Sequence, residues 1–536
     1  MKHVLILGGG VMQTPAINAG REMGWRITIA DGNADCVARP SADHFLHIDL
    51  RDHKALARSA ALLRPTLDGV FTAGTDFSYA VAFIAEALHL PGNSVESALN
   101  ATDKHRMRTR FEEQGIPIPR FSGIEPGLSD AGVRLEAEKI GFPLVVKPVD
   151  NMGARGVVRV DAPDTLESAV QAARNHSRSG TVVLEQFVDG PEFSIDALVY
   201  DGETYITGIA NRHIYFPPYF IEMGHTIPAE EDESIVQSLT SVFNRGVRAL
   251  GISHGAAKGD VFFSESGPVV GEIAARLSGG YMSGWTYPNA SGVNLSRIAL
   301  RLSVGIRPST ADLNSGVSMW SAERALVSIP GTVREVVNNA TGFPDVTDIF
   351  LRAEPGMEVN LPKNNVEKVA NVISRSATRI KAIAAAESSL AHIEVNLVAP
   401  SERTEQFLYG EGPSSVFRPY SLSNEPEKVL IPYQGDIRRI AEIFVRSGAL
   451  PFIDRTRSVI SRYTGPSVDA VIDTLTASGR IQRAESPALD GIFWYAFLSG
   501  GRQGIQYVYD CFHTDRTENG TIECIRRIEN AYFSPS

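Results

Sequence analysis

Two carboxylates in the middle of the chain have the residue type and spacing needed to hold a divalent cation. Asp260 lies in the segment KGDVFF and Glu272 in VVGEIAAR, and the turn-forming sequence SESGP separates them. This pattern predicts a β-hairpin, in which cross-strand neighbours lie side by side on one face. Two like charges placed this way repel each other. The pair is therefore either bridged by a cation such as Mg²⁺, or it faces solvent and is neutralised by Lys258 and Arg276.

A lysine and a glycine-containing loop upstream are typical of phosphate-binding segments. Lys147 follows the apolar residues LVV, where a buried ammonium is costly unless it contacts an anion. In the loop NMGARG that follows, Gly153 and Gly156 allow backbone N–H groups to fold over phosphates, and Arg155 adds a positive charge. Taken alone, a lysine followed by such a loop is more often an ordinary strand and turn. Arg276 follows Glu272 by four residues and could reach the same phosphate.

A second glycine-rich turn lies near the N-terminus. Gly8, Gly9 and Gly10 follow the apolar segment HVLIL, and Asp31 ends the next apolar segment. These positions match part of the dinucleotide-binding pattern G-x-G-x-x-G with a later acidic residue, but Gln13 stands where the third glycine should be. We therefore interpret the segment as a tight strand-to-helix turn and not as a dinucleotide site.

The elements that must position these residues change character along the chain. Up to about residue 100, buried-strand patterns alternate with helical ones, which predicts a parallel sheet with helices on its faces. From about residue 141 to 305, apolar segments separated by tight polar turns predict mainly antiparallel strands. Residues 431–536 predict two helical segments and then an aromatic hairpin around Ser499, Gly500 and Gly501. The fold class predicted is α/β together with α+β.

Composition excludes several classes of protein. The 536 residues are 43% hydrophobic and 21% charged, which is enough apolar material for several cores. Lys and Arg number 51 against 62 Asp and Glu, so the net charge of −11 argues against a nucleic-acid partner. No segment reaches the roughly 18 unbroken apolar residues of a membrane span, no signal-peptide pattern is present, and three cysteines do not make a disulfide framework. We expect a cytoplasmic protein without a membrane partner.

Taken in order, these features resemble the ATP-grasp superfamily of carboxylate–amine ligases over roughly residues 1–430, and most closely its L-amino acid ligase branch. The resemblance implies an ATP-grasp fold in which residues 1–103 form a Rossmann-like parallel-sheet domain before the ATP-grasp domain. Residues 104–308 would form the ATP-grasp domain, whose two lobes clamp ATP, and 309–430 the C-terminal part of the ligase core. Residues 431–536 would be an extra C-terminal domain, for which the segment order suggests a winged-helix arrangement.

The resemblance also implies a role for each matching residue. The ATP-binding residues would be Lys104, Lys147, Gly153, Ala154, Arg155, Gly156, Glu185, Gln186, Phe187, Val188 and Glu192. Of these, Glu185 to Val188 would be the adenine segment, and Glu192 would contact the ribose hydroxyls. Asp260 and Glu272 would be the metal ligands, and Arg276 and Lys258 the catalytic cations. The substrate contacts would be Glu222, His225, Ser278, Gly279 and Gly280. Many members have an asparagine two residues after the glutamate as a further metal ligand, whereas Ala274 stands there in this chain.

The implied reaction has two steps and uses ATP with Mg²⁺, or with Mn²⁺ in its place. A substrate carboxylate attacks the γ-phosphate to give an acyl phosphate and ADP, and an amine then displaces phosphate to form an amide or peptide bond. We expect small-molecule carboxylate and amine substrates, with an amino acid as the carboxylate, and a homo-oligomer. One alternative is a purine-pathway or bicarbonate-activating ATP-grasp enzyme. The other is a non-catalytic ATP sensor whose C-terminal domain binds a partner or DNA.

Overall fold

The computed structural model describes residues 1–390 and 392–410, together with residues 496, 500, 503, 504, 506–508, 510, 511, 527 and 528. These residues form two compact units. The first comprises Met1–Ile214, Gly224–Glu323 and Ile373–Ile383, and the second comprises Tyr215–Met223, Arg324–Val372 and the described residues from Ala384 onward. Among the described helices, none combines the length and the apolar character that crossing a membrane requires.

The strands and helices are numbered in chain order. The strands are β1 (His3–Leu7), β2 (Arg26–Asp31), β3 (His44–His47), β4 (Gly69–Phe71), β5 (Phe121–Ile124), β6 (Leu144–Pro148), β7 (Val158–Val160), β8 (Val182–Gln186), β9 (Glu192–Tyr200), β10 (Glu203–Tyr215), β11 (Ile221–Ile227), β12 (His254–Ser264), β13 (Gly267–Ala274), β14 (Trp320–Leu326), β15 (Gly331–Asn338), β16 (Val346–Leu351), β17 (Glu358–Val359), β18 (Ala370–Ser376) and β19 (Ile393–Leu397). The helices are α1 (Thr14–Glu22), α2 (His53–Leu62), α3 (Ser78–Ala87), α4 (Val95–Asn100), α5 (Lys104–Glu113), α6 (Asp130–Ile140), α7 (Leu166–His176), α8 (Glu233–Ala249), α9 (Tyr287–Ser291), α10 (Leu295–Leu302), α11 (Thr310–Leu313), α12 (Arg379–Leu390) and α13 (Glu402–Tyr409).

The N-terminal sheet is parallel, with the strand order β3-β2-β1-β4. Every residue of β1 is buried, as expected of a central strand in a parallel sheet. After β1, the Gly9 N–H donates to Asp31 Oδ2 at 2.6 Å. The Gln13 side chain exchanges two hydrogen bonds with the backbone of Ala73 after β4. The prediction of a parallel sheet is confirmed, and Asp31 and Gln13 both hydrogen-bond to the backbone of this domain.

A four-stranded antiparallel sheet with the order β5-β8-β6-β7 carries the predicted phosphate lysine. It shares one core with α6 and α7, and this core includes Ile124, Val133, Leu144, Val170 and Leu184. Strands β6 and β8 are direct neighbours in register, with Val145 opposite Glu185 and Lys147 opposite Val183. The predicted lysine and the predicted adenine segment therefore lie on adjacent strands of the same sheet.

The larger antiparallel sheet of the first unit has the strand order β13-β12-β9-β10-β11. Its core is shared with α5 and α8 and includes Phe111, Phe193, Phe243 and Ile273. Strand β12 lies between β9 and β13, and its residues from Lys258 to Phe262 have a partner on both sides. Elsewhere, β14, β18 and β16 are neighbours in that order, and β17-β15-β19 form a three-stranded sheet.

The hairpin predicted around residues 499–501 is wrong. The described residues between 496 and 511 are helical. Among them, Ala496, Gly500, Gln503, Gly504, Tyr507, Val508, Asp510 and Cys511 are buried. The run of aromatic residues with two adjacent glycines is also typical of a hairpin with a tight turn, and for that reason the sequence predicted one. The remainder of the predicted winged-helix segment lies outside the described residues.

Candidate active site

Asp260 and Glu272 face each other across a hairpin. Strands β12 and β13 pair antiparallel, and Asp260 and Glu272 are direct Cα partners in the register. The pairing is irregular immediately after Asp260, where a β-bulge shifts the register. The hairpin predicted from the sequence is confirmed. Because the side chains of direct partners share a face, two carboxylates are held at one place on the sheet.

Two cations lie against Asp260. Lys258, two residues earlier on β12, donates to Asp260 Oδ2. The Arg212 guanidinium, on β10, lies 2.8 Å from Asp260 Oδ1 and also donates to Glu192. Sequence reasoning missed Arg212, because the sequence does not show that only a tenth of its side chain is exposed, and an arginine this buried requires an anionic partner. Arg212 thereby joins the predicted ribose-contacting acid to the predicted metal ligand.

Glu272 is held in its ionised form. Burial alone would raise the pKa of Glu272, but the charges of Lys104, Lys258, Lys147 and Arg276 together lower it to about 2. The closest measured pair joins Lys104 Nζ to Glu272 Oε2 at 3.6 Å. A carboxylate that stays charged while surrounded by cations is suited to accept a further cation once anionic phosphates neutralise its neighbours.

The donor set at this hairpin fits Mg²⁺ or Mn²⁺ bound together with phosphate. Hard carboxylate oxygens are the ligands that Mg²⁺ prefers, and a site with one or two protein carboxylates takes its other ligands from phosphate and water. Ala274, which replaces the further ligand of many relatives, is buried. Within the described part of the chain, no group of three or more His, Cys, Asp or Glu could hold a metal by itself.

Three more cations surround this pair of carboxylates at the positions predicted for phosphate contacts. Lys104 Nζ, at the start of α5, donates to the Asn151 carbonyl at 2.8 Å, which ties it to the glycine loop. Lys147 Nζ lies 2.6 Å from Glu185 Oε2. Arg276 donates to the Leu277 carbonyl at 3.0 Å. Among the described residues, the buried Arg276 Nε has no hydrogen-bond partner, so one donor of this guanidinium is left for another acceptor.

The loop between β6 and β7 has a backbone that only particular residues tolerate. Gly153, Ala154 and Gly156 have φ angles of 67°, 59° and 73°. Turn conformations that include left-handed residues can direct successive backbone N–H groups toward one point, which is how glycine-rich loops bind anions. A side chain on Gly156 would lie 2.8 Å from His176 Cβ, whereas one on Gly153 would meet open space.

Gly156→Ala is expected to reduce kcat/KM for ATP about ten-fold more than Gly153→Ala. Both changes place an alanine at a left-handed φ, which costs about 1–2 kcal/mol each, so that this cost cancels between the two variants. Only Gly156→Ala adds the contact with His176 Cβ, which must displace the loop or the C-terminal end of α7. Steady-state kinetics with varied ATP measures the difference, and equal losses in the two variants would contradict it.

Two backbone N–H groups of the predicted adenine segment donate to carbonyl groups of the protein. The Gln186 N–H donates to the Arg120 carbonyl at 2.8 Å, and the Phe187 N–H donates to the Pro143 carbonyl at 3.1 Å. A base contact through these two residues would therefore use their carbonyl oxygens. The Phe187 ring is covered by the Arg159 guanidinium, 4.1 Å from the ring centroid. Arg159 lies on β7, so this cation–π contact connects the strand after the glycine loop with the adenine segment.

The predicted substrate residues belong to both compact units. His225 is fully buried, its Nε2 lies 2.7 Å from Thr286 Oγ1, and its Nδ1 lies 3.4 Å from Glu323 Oε2. Glu222 belongs to the second unit, where its N–H donates to Asn365 Oδ1 at 2.7 Å. The turn from Ser278 to Gly280 begins four residues after the end of β13 and precedes a π-helix at Met282–Thr286, a rare element that is frequent at functional sites.

A buried carboxylate that sequence reasoning missed anchors this turn. Asp196 on β9 is fully buried, and its Oδ1 accepts the Ser278 N–H at 3.1 Å. The Ser278 N–H, predicted to face a substrate carboxylate, is therefore engaged by the protein. Asp196 is also the cross-strand partner of Lys258 on β12. Burial raises the pKa of Asp196 to about 6, against the hydrogen bonds from Ser278 and the charge of Lys258.

Asp196→Asn is expected to gain stability relative to the wild type as pH rises. The folded protein holds the Asp196 proton more tightly than the unfolded chain does, so the wild type loses stability as pH rises from about 4 to about 6. The asparagine variant lacks this titration. The difference in free energy of unfolding, variant minus wild type, should grow by up to about 3 kcal/mol over that interval and then level off. Denaturant unfolding at several pH values measures it, with exposed Asp164→Asn as control, and a pH-independent difference would contradict it.

Parts of the chain are similar in sequence to known protein families and proteins. Residues 140–284 match the family model described as an ATP-grasp domain, and residues 324–398 match L-amino acid ligase C-terminal domain 2. An uncharacterised protein of Sinorhizobium fredii is 27% identical over 371 residues, which are 68% of this chain and 75% of that protein. The D-alanine–D-alanine ligase of Mycobacterium avium is 28% identical over 240 residues, covering 40% of this chain and 63% of the ligase, less than two thirds of its length.

A solved structure shows the same fold. The L-amino acid ligase from Bacillus licheniformis superposes with a TM-score of 0.67 at 23% identity, over 74% of this chain and 99% of that one. At this identity the similarity shows the fold. The predicted ATP-grasp fold, with its parallel and antiparallel sheets and a C-terminal extension, is confirmed.

Proposed function

We propose that the chain is an ATP-grasp carboxylate–amine ligase that activates an amino acid carboxylate with ATP and joins it to an amine, because residues 140–284 match an ATP-grasp domain and residues 324–398 match L-amino acid ligase C-terminal domain 2. The product is an amide or peptide bond, with ADP and phosphate released. The observation that carries the proposal is the geometry of the Asp260–Glu272 pair, in which Lys258 and Arg212 contact Asp260 and Lys104 Nζ lies 3.6 Å from Glu272. The nearby cations also lower the pKa of Glu272 to about 2, so this carboxylate stays ionised. A carboxylate pair inside a ring of cations suits a metal–phosphate complex and would be poorly placed on a solvated surface.

In the first step, a substrate carboxylate attacks the γ-phosphate of ATP. Charge neutralisation and positioning do most of the work in such transfers, because the transferring group carries dispersed negative charge. Lys104 and Lys147 would neutralise the phosphate oxygens, and Arg276 would bind the transferring group through its free Nε donor. Asp260 and Glu272 would hold Mg²⁺ or Mn²⁺, which when bound supplies further charge neutralisation at the phosphates.

In the second step, an amine attacks the acyl phosphate and phosphate leaves. An acyl phosphate hydrolyses if water reaches it, so the site must be covered during this step. The loop with left-handed residues at 153, 154 and 156 is the segment we propose as the cover. The turn Ser278–Gly280, anchored by Asp196, would contact the substrate next to Arg276. Lys258 is proposed as a catalytic cation beside Arg276, and His225 and Glu222 are proposed as substrate contacts.

Amino acids are the proposed substrate class because the similar proteins are named for them. The relative from Mycobacterium avium is a D-alanine–D-alanine ligase, and the structural neighbour is an L-amino acid ligase. We propose the domain organisation inferred from the sequence. Residues 1–103 would form the N-terminal parallel-sheet domain and residues 104–308 the nucleotide-binding ATP-grasp domain. Residues 309–430 would form the C-terminal part of the ligase core, and residues 431–536 an extra C-terminal domain. We also propose that the protein is a homo-oligomer, which light scattering of the full chain would test.

The proposal is tested by incubating the full chain with ATP, Mg²⁺ and pooled amino acids and small carboxylic acids. ADP release and coupled products are followed together, the products by mass spectrometry. The expected result is ADP release that requires a carboxylate and an amine, with one product mass equal to the sum of both minus water. Tight ATP binding with no turnover on any pool would contradict an amino acid ligase.

A further inference from the structure

Arg108 is a fully buried arginine whose side chain contacts two strands of the proposed nucleotide and metal site. It lies on α5 and is 1% exposed. Its Nε and Nη2 donate to the two oxygens of Glu185 at 2.9 and 3.0 Å, a bidentate pair. Its Nη2 also donates to the Gly271 carbonyl at 2.6 Å, and Nη1 to the Val270 carbonyl at 3.4 Å. One side chain therefore joins β8, which carries Glu185, to β13, which carries Glu272.

The same guanidinium changes the charge available at Lys147. Lys147 Nζ lies 2.6 Å from Glu185 Oε2, so a Lys147–Glu185 pair alone would be neutral. Arg108 saturates the Glu185 carboxylate from its other side, which leaves two cations for one carboxylate. Burial would raise the pKa of Glu185, but Arg108 and Lys147 hold it below its usual range, so the carboxylate stays charged. The three groups together carry one net positive charge. The side chain of Lys147 has the largest exposed fraction of the three.

The helix that carries Arg108 also carries Lys104. The two residues are four apart on α5 and therefore lie on the same face of the helix. Lys104 contacts the Asn151 carbonyl and lies near Glu272, while Arg108 binds the carbonyl of Gly271, the residue directly before Glu272. One helix face thus touches the glycine loop, the adenine strand and the strand of the proposed metal ligand.

We infer that Arg108 is a positioning residue that couples nucleotide binding at Lys147 to metal binding at Glu272. It touches neither ligand. It keeps the Lys147 charge available for phosphate by binding Glu185, and it fixes the backbone that presents Glu272. The inference rests on the proposed nucleotide and metal site.

The test uses Arg108→Lys, which keeps the charge but removes the bidentate geometry. Arg110→Lys on the same helix is the matched control, because Arg110 is 42% exposed and pairs with Glu113 at the surface. Isothermal titration of ADP is repeated at several MgCl₂ concentrations, and the folded state is checked by thermal unfolding. Arg108→Lys should weaken ADP binding about 10-fold to 100-fold, and should raise the Mg²⁺ concentration for half-maximal tightening by a similar factor. Arg110→Lys should match the wild type.

A second pair of variants separates the charge argument from loss of packing. Arg108→Gln removes the net positive charge of the Arg108–Glu185–Lys147 group, and Arg108→Gln combined with Glu185→Gln restores it on Lys147. The double variant should therefore bind ADP more tightly than the single one. Equal or weaker binding by the double variant, or identical ADP and Mg²⁺ behaviour of Arg108→Lys and Arg110→Lys, would overturn the inference. If the wild type binds no ADP in the presence of Mg²⁺, the proposed function itself is contradicted. If the wild type binds ADP but the variants behave as just described, only the role of Arg108 is contradicted.

Discussion

Asp260→Asn and Glu272→Gln, made one at a time, are expected to lower substrate-dependent ADP release by at least ~10²-fold. Each change keeps the size of the side chain and removes one of two charged oxygen ligands at the hairpin. Changes to groups that merely support metal ligands already cost about 10-fold to 100-fold, so losing a ligand itself should cost more. Coupled measurement of ADP at saturating ATP and varied Mg²⁺ gives the result.

The matched control for these two variants lies on the same hairpin. Glu265 is exposed in the turn between β12 and β13, and Glu265→Gln should leave ADP release unchanged. Asp260→Asn also removes the partner of Lys258 and Arg212, so its thermal unfolding must be compared with that of the wild type. Folded Asp260→Asn and Glu272→Gln proteins that retain more than a tenth of the wild-type rate would contradict the assignment of a metal pair.

Arg276→Lys is expected to lower kcat by about 10²–10³-fold, with a much smaller change in KM for ATP. A loss of this size is typical when one hydrogen-bond donor that faces developing transition-state charge is removed. Lysine keeps the positive charge but lacks the planar fork, and it has no counterpart of the buried Nε that is unpartnered among the described residues. Because the interaction is strongest while the phosphoryl group is transferred, the loss should appear in kcat.

Kinetics at varied ATP separate the two parameters for Arg276→Lys. Arg297→Lys is a suitable control, because Arg297 is 41% exposed and pairs with Glu22 at the surface. A variant whose KM for ATP rises strongly while kcat stays near the wild-type value would show that Arg276 binds ATP in the ground state. That result would remove Arg276 from the phosphoryl-transfer step.

Local patterns predicted the elements on which the candidate site is built. The parallel N-terminal sheet and the hairpin pairing Asp260 with Glu272 both follow from short-range periodicity and turn residues. Each of these features depends on neighbours within a few residues to a few tens of residues. Such patterns survive in a single sequence because backbone geometry links nearby positions directly.

The charged residues that organise the site were not predicted. Arg108, Asp196 and Arg212 are buried or nearly so, and their partners lie far away in sequence, as with Arg108 and Glu185 at a separation of 77 residues. In a sequence, a charged residue in a helix or strand has the same appearance whether it faces solvent or a buried partner. Only the three-dimensional packing of the strands, and of α5 against them, shows which of these charges are paired.

The most direct test of the central claim follows oxygen from the carboxylate substrate. The carboxylate identified by product analysis is labelled with ¹⁸O and incubated with the full chain, ATP, Mg²⁺ and the amine. If the carboxylate attacks the γ-phosphate and the amine then displaces phosphate, one carboxylate oxygen must leave in the inorganic phosphate. We predict one ¹⁸O in each phosphate released and none in ADP. Unlabelled phosphate, or label found in AMP, would contradict activation as an acyl phosphate.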